Sequence, residues 1–523
     1  MNVVDYSHCS DAPSRSFRVS VDGHAVKVVE TPPMDAAERA RLAEEYRKIP
    51  YAEIYDVASM HVHYAHVGAG GSVAVRIDAD VEIHSFRVHP FRREIRGVAA
   101  GKSLTFETGA SRPGYFIVRI NALPPLALIV DALELTAPTL ANSDVIDAAQ
   151  FLDDSTGATD QTPHFLRAFA AANHSGKTLL VPSGVYSVTQ LHISRGRNFR
   201  IYLPAGCLIK VAPSRHGENE HRHGLWLQDS EDITIDGRGC IDHQAYEHYV
   251  VGRNHYQHGL VNYYTANELC PWTTQSPLFI TGSRRITIDG LTIRNGRNFN
   301  INCRNCDDLV IRGVKILTPP ACTPEYADGI NTGSCQNVLV ENCLIISNDD
   351  SIASGHYFST YDNRPSGNHV VRGVLGWTLR GSGARLGFYA DHDQGDFTFE
   401  NCDFVAMVYT SCLIHPLRPG TDGRPSRYGT IRMRDCAFDE AERLDSFLDA
   451  QKPVIERLEL VNVTFFGKPR ESAAIIVAGD PAHPIGRVLL ENMRVAGRFV
   501  IELSQVPSRI ENVREIIVTA KLG

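Results

Sequence analysis

The sequence has no apolar run long enough to cross a bilayer and no tract of low complexity. It has no basic surplus either: 52 Lys and Arg stand against 60 Asp and Glu, for a net charge of −8. Nucleic acids and anionic membranes select basic surfaces, so the charge argues against both as partners. The opening "MNVVDYSHCSDAPSRS" has neither a basic n-region nor an apolar h-region. No secretory signal is read there, and the expected location is cytoplasmic. Twelve cysteines in 523 residues are too sparse for a disulfide scaffold.

What is present is a long chain with strand periodicity almost throughout. A chain of 523 residues exceeds one ordinary core, so two domains or a long repeat are expected. Residues 17–134 alternate with period two, as in "FRVSVDG", "HVHYAHV", "SVAVRID", "SLTFETG" and "YFIVRIN". Gly, Asn and Pro punctuate these runs, which predicts an antiparallel β-sandwich over residues 1–140. His61 and His63 in this unit read as an exposed strand face. One helix is predicted at 34–48, "MDAAERARLAEEYRK", with Asp35 as its cap, and "ELTAPTLANSD" reads as a linker.

From residue 141 to 523 the pattern is a repeat. After a helix capped by Asp160 come "ITIDGLTIRN", "LVIRGVKILT", "VLVENCLIIS", "HVVRGVLGWT", "FTFENCDFVA", "TIRMRDCAFD" and "RVLLENMRVA", with "LELVNVTFFG" before the last. The turn residue is read at Gly290, Gly313, Cys343, Gly373, Cys402, Cys436 and Met493. A repeat of 23 to 34 residues built of short β-branched strands is a solenoid, whose units bury their apolar faces only by stacking. Same-site cysteines and Gly or Asn at the bends indicate a right-handed parallel β-helix. The fold class is therefore all-β, a sandwich followed by a β-helix. Cys303 and Cys306 form a CxxC, but "NCDDLVIRG" and "SCQNVLVENC" are equivalent, which places Cys306 over Cys335 in an internal thiol ladder.

The chemistry is sought in "YADGI" (326–330) and "NDDSI" (348–352). Asp349 and Asp350 are adjacent like charges, costly to bury without a task. Asp328 lies 21 and 22 residues earlier, about one coil, so the three carboxylates are expected on one face. Crowding of that kind raises at least one pKa, and a protonated acid beside ionised carboxylates suits glycosidic bond cleavage.

These motifs resemble those of family 28 glycoside hydrolases, the pectin-cleaving enzymes, whose Asn-Thr-Asp-Gly is followed one coil later by Asp-Asp. "DDSTGATDQTPHFLRAF" and "VPSGVY" resemble the N-terminal cap of that fold, and "ITIDGRG" an early coil. The resemblance implies Asp349 as general acid, Asp328 and Asp350 as the pair activating water, inversion at the anomeric carbon, and no metal or cofactor. Two departures are visible. Ser382 stands where the family has a His, and Leu413-Ile414-His415 is the nearest match to its Arg-Ile-Lys. A sandwich before a three-Asp β-helix without that His resembles family 49, the dextranase-like enzymes. The expected partner is an oligo- or polysaccharide.

Further candidates flank the trio. His356 and Tyr357 follow it directly, Arg385, Tyr389 and His415 fall on the next coils, and Trp272 lies in the aromatic-rich insertion 242–278. These are expected to line the substrate cleft, with Arg385 the best contact for a hydroxyl or carboxylate. His221 and His223 form an HxH read as loop chemistry. Two alternatives stay open. Polysaccharide lyases on the same fold hold Ca²⁺ with clustered Asp while a basic residue, here Arg385, removes a proton. A non-catalytic glycan-binding β-helix is the other.

Overall fold

A computed structural model describes residues 3–7, 11–33, 37, 40, 61–111, 113–212, 223–245, 276–296, 299–319, 327–355, 364–378, 381–387, 392–405, 410–415, 426–441, 444–470 and 474–521. His356, Tyr357, Tyr389, Trp272 and His221 lie outside these residues, as does nearly all of the helix expected at 34–48. Among the described residues no helix is long and apolar enough to cross a membrane.

The N-terminal part is two facing sheets. One orders Val3–Asp5, Val62–Ala69, Leu126–Asp131, Gly114–Ile120 and Phe86–His89, with Val29–Thr31 also on Val62–Ala69. The other orders His24–Val26, Phe17–Val21, Ala74–Ala79, Ser103–Glu107 and Val98–Ala100. Their inward residues, among them Val19, Ile77, Leu104, Phe116, Val118 and Leu128, form one core. The pairing departs from the antiparallel expectation at one place, where Leu126–Asp131 runs parallel to Val62–Ala69. The exposed face expected for His61 and His63 is also corrected: both are buried, and every residue of Val62–Ala69 is buried. Strand parity says which face a residue takes, not whether something covers that face.

His63 shares its face with Ala65 and Val67 inside the sandwich core, where its ring meets Phe17 edge-on with centroids 5.1 Å apart; the alternate face, with Val62 and Tyr64, is the one the β-helix covers. From Val145 onward the chain winds through three sheets of 13, 13 and 11 strands, each strand pairing in parallel with its equivalent one coil away except Arg498–Phe499, which folds back antiparallel on Arg494–Val495. Together they form the right-handed parallel β-helix. The helix Thr162–Ser175 opens the solenoid; Asp160 Oδ1 accepts from Thr162 N at 2.9 Å, and Gly176 ends the helix in the left-handed region at φ 67°. A single apolar core runs the length of the solenoid, from Ala148 to Val506.

The bend after each first-sheet strand lies one residue earlier than the sequence reading placed it at the cysteines. Gly290, Gly313, Asn342, Gly373, Asn401, Asp435 and Asn492 all have φ between 52° and 77°. Glycine, Asn and Asp tolerate that conformation best, which explains the residue choice. Cys343, Cys402, Cys436 and Met493 follow the bend and point into the core. The Cys306–Cys335 stack stands as expected, since Asp307 pairs with Gln336 and both thiols are buried. Burial raises both the Cys303 and Cys306 pKa values well above the ordinary thiol range, so the CxxC is held as neutral core thiols.

The sandwich docks on the outer face of the second parallel sheet. Val62, Tyr64, Tyr115, Ile117 and Ile129 meet Leu317, Leu344, Ile346, Leu375, Trp377 and Val405. Buried ion pairs ring this contact. Lys315 Nζ lies 2.9 Å from Asp131, Arg294 bridges Asp11 and Asp242, and His89 lies 2.8 Å from Asp439. The outer face of the third sheet is a separate surface, and the carboxylate trio sits at its entrance.

Candidate active site

Asp328, Asp349 and Asp350 occupy the turns that lead from second-sheet strands into the third-sheet strands Ile330–Gly333 and Ile352–Ser354. Their carboxylate oxygens lie within 4.8 Å of one another, as the one-coil spacing requires. Asp328 and Asp350 are each 3% exposed, and Asp349 is half-buried.

Neighbouring coils fix each turn. From the coil before, Asn300 donates both its N–H and its side-chain amide to the Asp328 carbonyl, each at 2.9 Å. From the coil after, Ser382 N donates to Asp350 Oδ1 at 2.7 Å. The position read as a missing His thus contributes its backbone N–H. Gly381 beside it admits no side chain, because a Cβ there would overlap the backbone of Asp349 and Asp350. Gly329 is equally confined, against the Ser351 carbonyl and Ile345.

The third-sheet outer face carries a row of registered residues: Phe279, Asn302, Asn331, Ala353, Arg385 and Leu413. Asn331 Nδ2 donates to Asp328 Oδ2 at 2.7 Å, while Asn331 Oδ1 accepts from Arg304 at 3.1 Å. Arg304 pairs in register with Gly333 and reaches across it to the Gly355 carbonyl at 2.9 Å. The bare glycine leaves room for that arm. Arg385 stands over Ala353, with a guanidinium nitrogen 3.8 Å from Asp350. His415 lies one coil further, and its Nε2 is 3.0 Å from Asp449 rather than at the trio. His223 stacks on Phe279 with ring centroids 4.1 Å apart.

Electrostatics sets the trio's protonation. Burial first, and then the charges of Asp349 and Asp350, push the Asp328 carboxyl well above the usual carboxylate range. Arg385 and the Asn331 amide pull it down without cancelling the rise. Asp328 therefore retains its proton where an isolated aspartate has lost its own. The three carboxylates are close enough to share a cation, and Arg385 brings positive charge within 3.8 Å of Asp350.

Against known proteins, one sequence family matches, over residues 177–368. It is Glycosyl hydrolases family 28. The family 28 match contains the whole trio, Asn331 and Arg304, and stops before the coil of Arg385. A probable polygalacturonase of Arabidopsis thaliana is 25% identical over 244 residues, which are 45% of this chain and 49% of that protein. The chain therefore spans about half the length of the curated relatives it matches. Among solved structures, Dex49A from Penicillium minioluteum superposes with a TM-score of 0.60 at 13% identity, covering 99% of this chain and 98% of that one. The Yersinia enterocolitica family 28 exopolygalacturonase gives 0.52 at 15% identity, over 86% and 97%. The resemblance to families 28 and 49 thus holds in motif for the first and in fold for both.

The structure brings together the trio and Arg385, which the sequence reading placed on one face and the next coil. That reading missed Asn331, Arg304, Gly381 and the Asn300 brace. A signal for Asn331 was present, because "INCR" and "INTG" start equivalent strands and align Asn302 with Asn331.

Proposed function

We propose that this chain is a glycoside hydrolase acting on an oligo- or polysaccharide, with the Asp328–Asp349–Asp350 trio as its acid and base. The observation that carries the reading is geometric: three carboxylates with oxygens within 4.8 Å of one another, Asp328 and Asp350 buried and Asp349 half-buried, an arrangement in which burial and like charge drive Asp328 up. A glycosidase needs one proton to give to the leaving oxygen and one ionised carboxylate to act on water.

The roles follow exposure. Asp349, the least enclosed of the three, is placed to reach the glycosidic oxygen. Asp328 and Asp350, anchored by Asn331 and Ser382, are oriented to share one water. The proton that the trio retains passes within it to Asp349 before cleavage. Breaking the C–O bond transfers that proton to the leaving sugar, while the attacking water gives one back to the pair, so protons balance over a turnover. Attack from the opposite face inverts the anomeric carbon. The similarity to polygalacturonases supports a polysaccharide as substrate.

The test is reducing-sugar release from a panel of uronate and neutral glycans, with wild type and Asp349→Asn side by side. Wild type is expected to release sugar from at least one glycan, and the variant about 10²–10⁴-fold more slowly, the usual worth of a general acid. NMR of the first product is expected to show the inverted anomer. Equal rates for the two proteins would remove the trio from the chemistry.

A further inference from the structure

The outer row of the third sheet contains two amides in register, Asn302 and Asn331, and they differ in one respect. Asn331 is fully engaged, with its Oδ1 taken by Arg304 and its Nδ2 by Asp328. Asn302, one coil toward the N-terminus, is 1% exposed, and its Oδ1 has no hydrogen-bond partner. Its neighbours Ile301 and Cys303 point into the solenoid core, so strand alternation turns Asn302 outward, the same way as Asn331. Turning the amide over would only exchange which end is left unmet.

A buried polar atom without a partner costs about 1–3 kcal/mol, and such atoms are rare enough to need a reason. The row gives little alternative. Beyond Asn302 it continues through Phe279, Trp226 and His192. His192 and Trp226 stack at 4.1 Å and an interplanar angle of 11°, which covers ring faces and leaves edges. Trp226 spends its N–H on Thr281 Oγ1 at 2.9 Å. Ala353 offers no polar atom. Asn302 is therefore the amide of this row with capacity to spare next to the trio.

We infer that Asn302 is a substrate-binding residue, building a subsite one coil N-terminal of the trio that recognises the hydroxyls of a pyranose ring. An amide has an acceptor and a donor side by side, which matches two vicinal hydroxyls, one donating to Oδ1 and the next accepting from Nδ2. The inference rests on the hydrolase reading, because the ligand is taken to be that enzyme's sugar.

The test uses Asp349→Asn protein, which is expected to bind without turnover, titrated with trigalacturonate and with isomaltotriose by calorimetry. At least one sugar is expected to bind, and adding Asn302→Leu is expected to weaken that binding tenfold or more. The melting temperature should stay level or rise, since an unmet amide has been removed. If the Leu variant does not fold, Asn302→Ser is read by the same criterion. Affinity unchanged within twofold would mean that the amide meets only bound water, and would overturn this inference while leaving the hydrolase reading intact. Binding of neither sugar to the Asp349→Asn parent would overturn both. In the active enzyme, Asn302→Leu is expected to raise KM more than it lowers kcat.

Discussion

Asp131 and Asp328 are buried aspartates on two flanks of the same solenoid, and their surroundings drive them in opposite directions. Burial opposes ionisation at both. At Asp131 that penalty is outweighed by Lys315 at 2.9 Å, His66 at 2.8 Å and Arg238 at 3.4 Å, which hold the carboxyl far below its ordinary range. At Asp328 the nearest charges are two more carboxylates, and the carboxyl goes up. The difference teaches that burial alone does not decide what an acid does; its neighbours do. The sandwich interface is a set of closed ion pairs that hold two units together. The trio is a set of unbalanced charges, and an imbalance of that kind is what proton transfer requires.

The comparison breaks most visibly at the interface. Asp131→Asn strands Lys315 in the contact with only the Gly290 carbonyl and weaker partners. Removing one member of a buried pair costs about 3–5 kcal/mol, so the urea midpoint is expected to fall sharply. Glycan cleavage per folded molecule should persist. A midpoint unchanged from wild type would mean that the interface pairs are not what fastens the sandwich.

A smaller effect sharpens the other side. Asn331→Ala withdraws the amide that pulls Asp328 down, so the Asp328 carboxyl rises further. The limb of the pH–rate profile set by the trio is expected to move to higher pH. The rate at the optimum should fall about tenfold, the worth of one hydrogen bond to a charged group at about 1.5 kcal/mol. A profile that keeps its position would detach Asn331 from the trio's titration.

The smallest effect concerns His89, enclosed by Asp439 at 2.8 Å and Glu440 at 3.3 Å. Burial lowers its pKa, but the hydrogen bonds and charges of the two acids outweigh that and raise it. A raised His stabilises the fold fully below about pH 6.5 and loses that contribution as pH climbs through its folded-state value. The difference in melting temperature between wild type and His89→Gln should therefore shrink from pH 6 to pH 9. A constant difference would show that His89 does not change charge on unfolding.

How much of this was legible in the sequence depends on whether a feature is local or needs the stacking of coils. The solenoid was legible because each unit repeats the same strand pattern. The trio was legible because 21 and 22 residues separate Asp328 from the pair, about one coil. The bend was misplaced by one residue at the cysteines because Asn342 and Cys343 are adjacent and only the left-handed φ of Asn342 distinguishes the bend from the core position. His61 and His63 were misread because polar residues were taken to mark an outward face, whereas His63 lies with Ala65 and Val67 in the sandwich core and Val62 and Tyr64 turn to the solenoid, so both faces of the strand are covered. Lys315 in "VKILT" and Arg294 in "TIRN" are buried because the sandwich covers the second sheet and supplies Asp131 and Asp11 as partners, which the repeat pattern does not display. Arg304 was the hardest to see. Its role depends on Gly333 and Gly355 lying on successive coils beneath its side chain, which no spacing rule displays.

The central claim is that Asp328 is buried for chemistry and Asp131 for structure, and one substitution tests it most directly. Asp328→Asn should be made and assayed for both glycan cleavage and urea unfolding. The account predicts that cleavage falls by about 10²–10⁴-fold while stability is kept or increased, because a crowded like charge has been removed. Retained cleavage, or a loss of stability as large as that of Asp131→Asn, would contradict it.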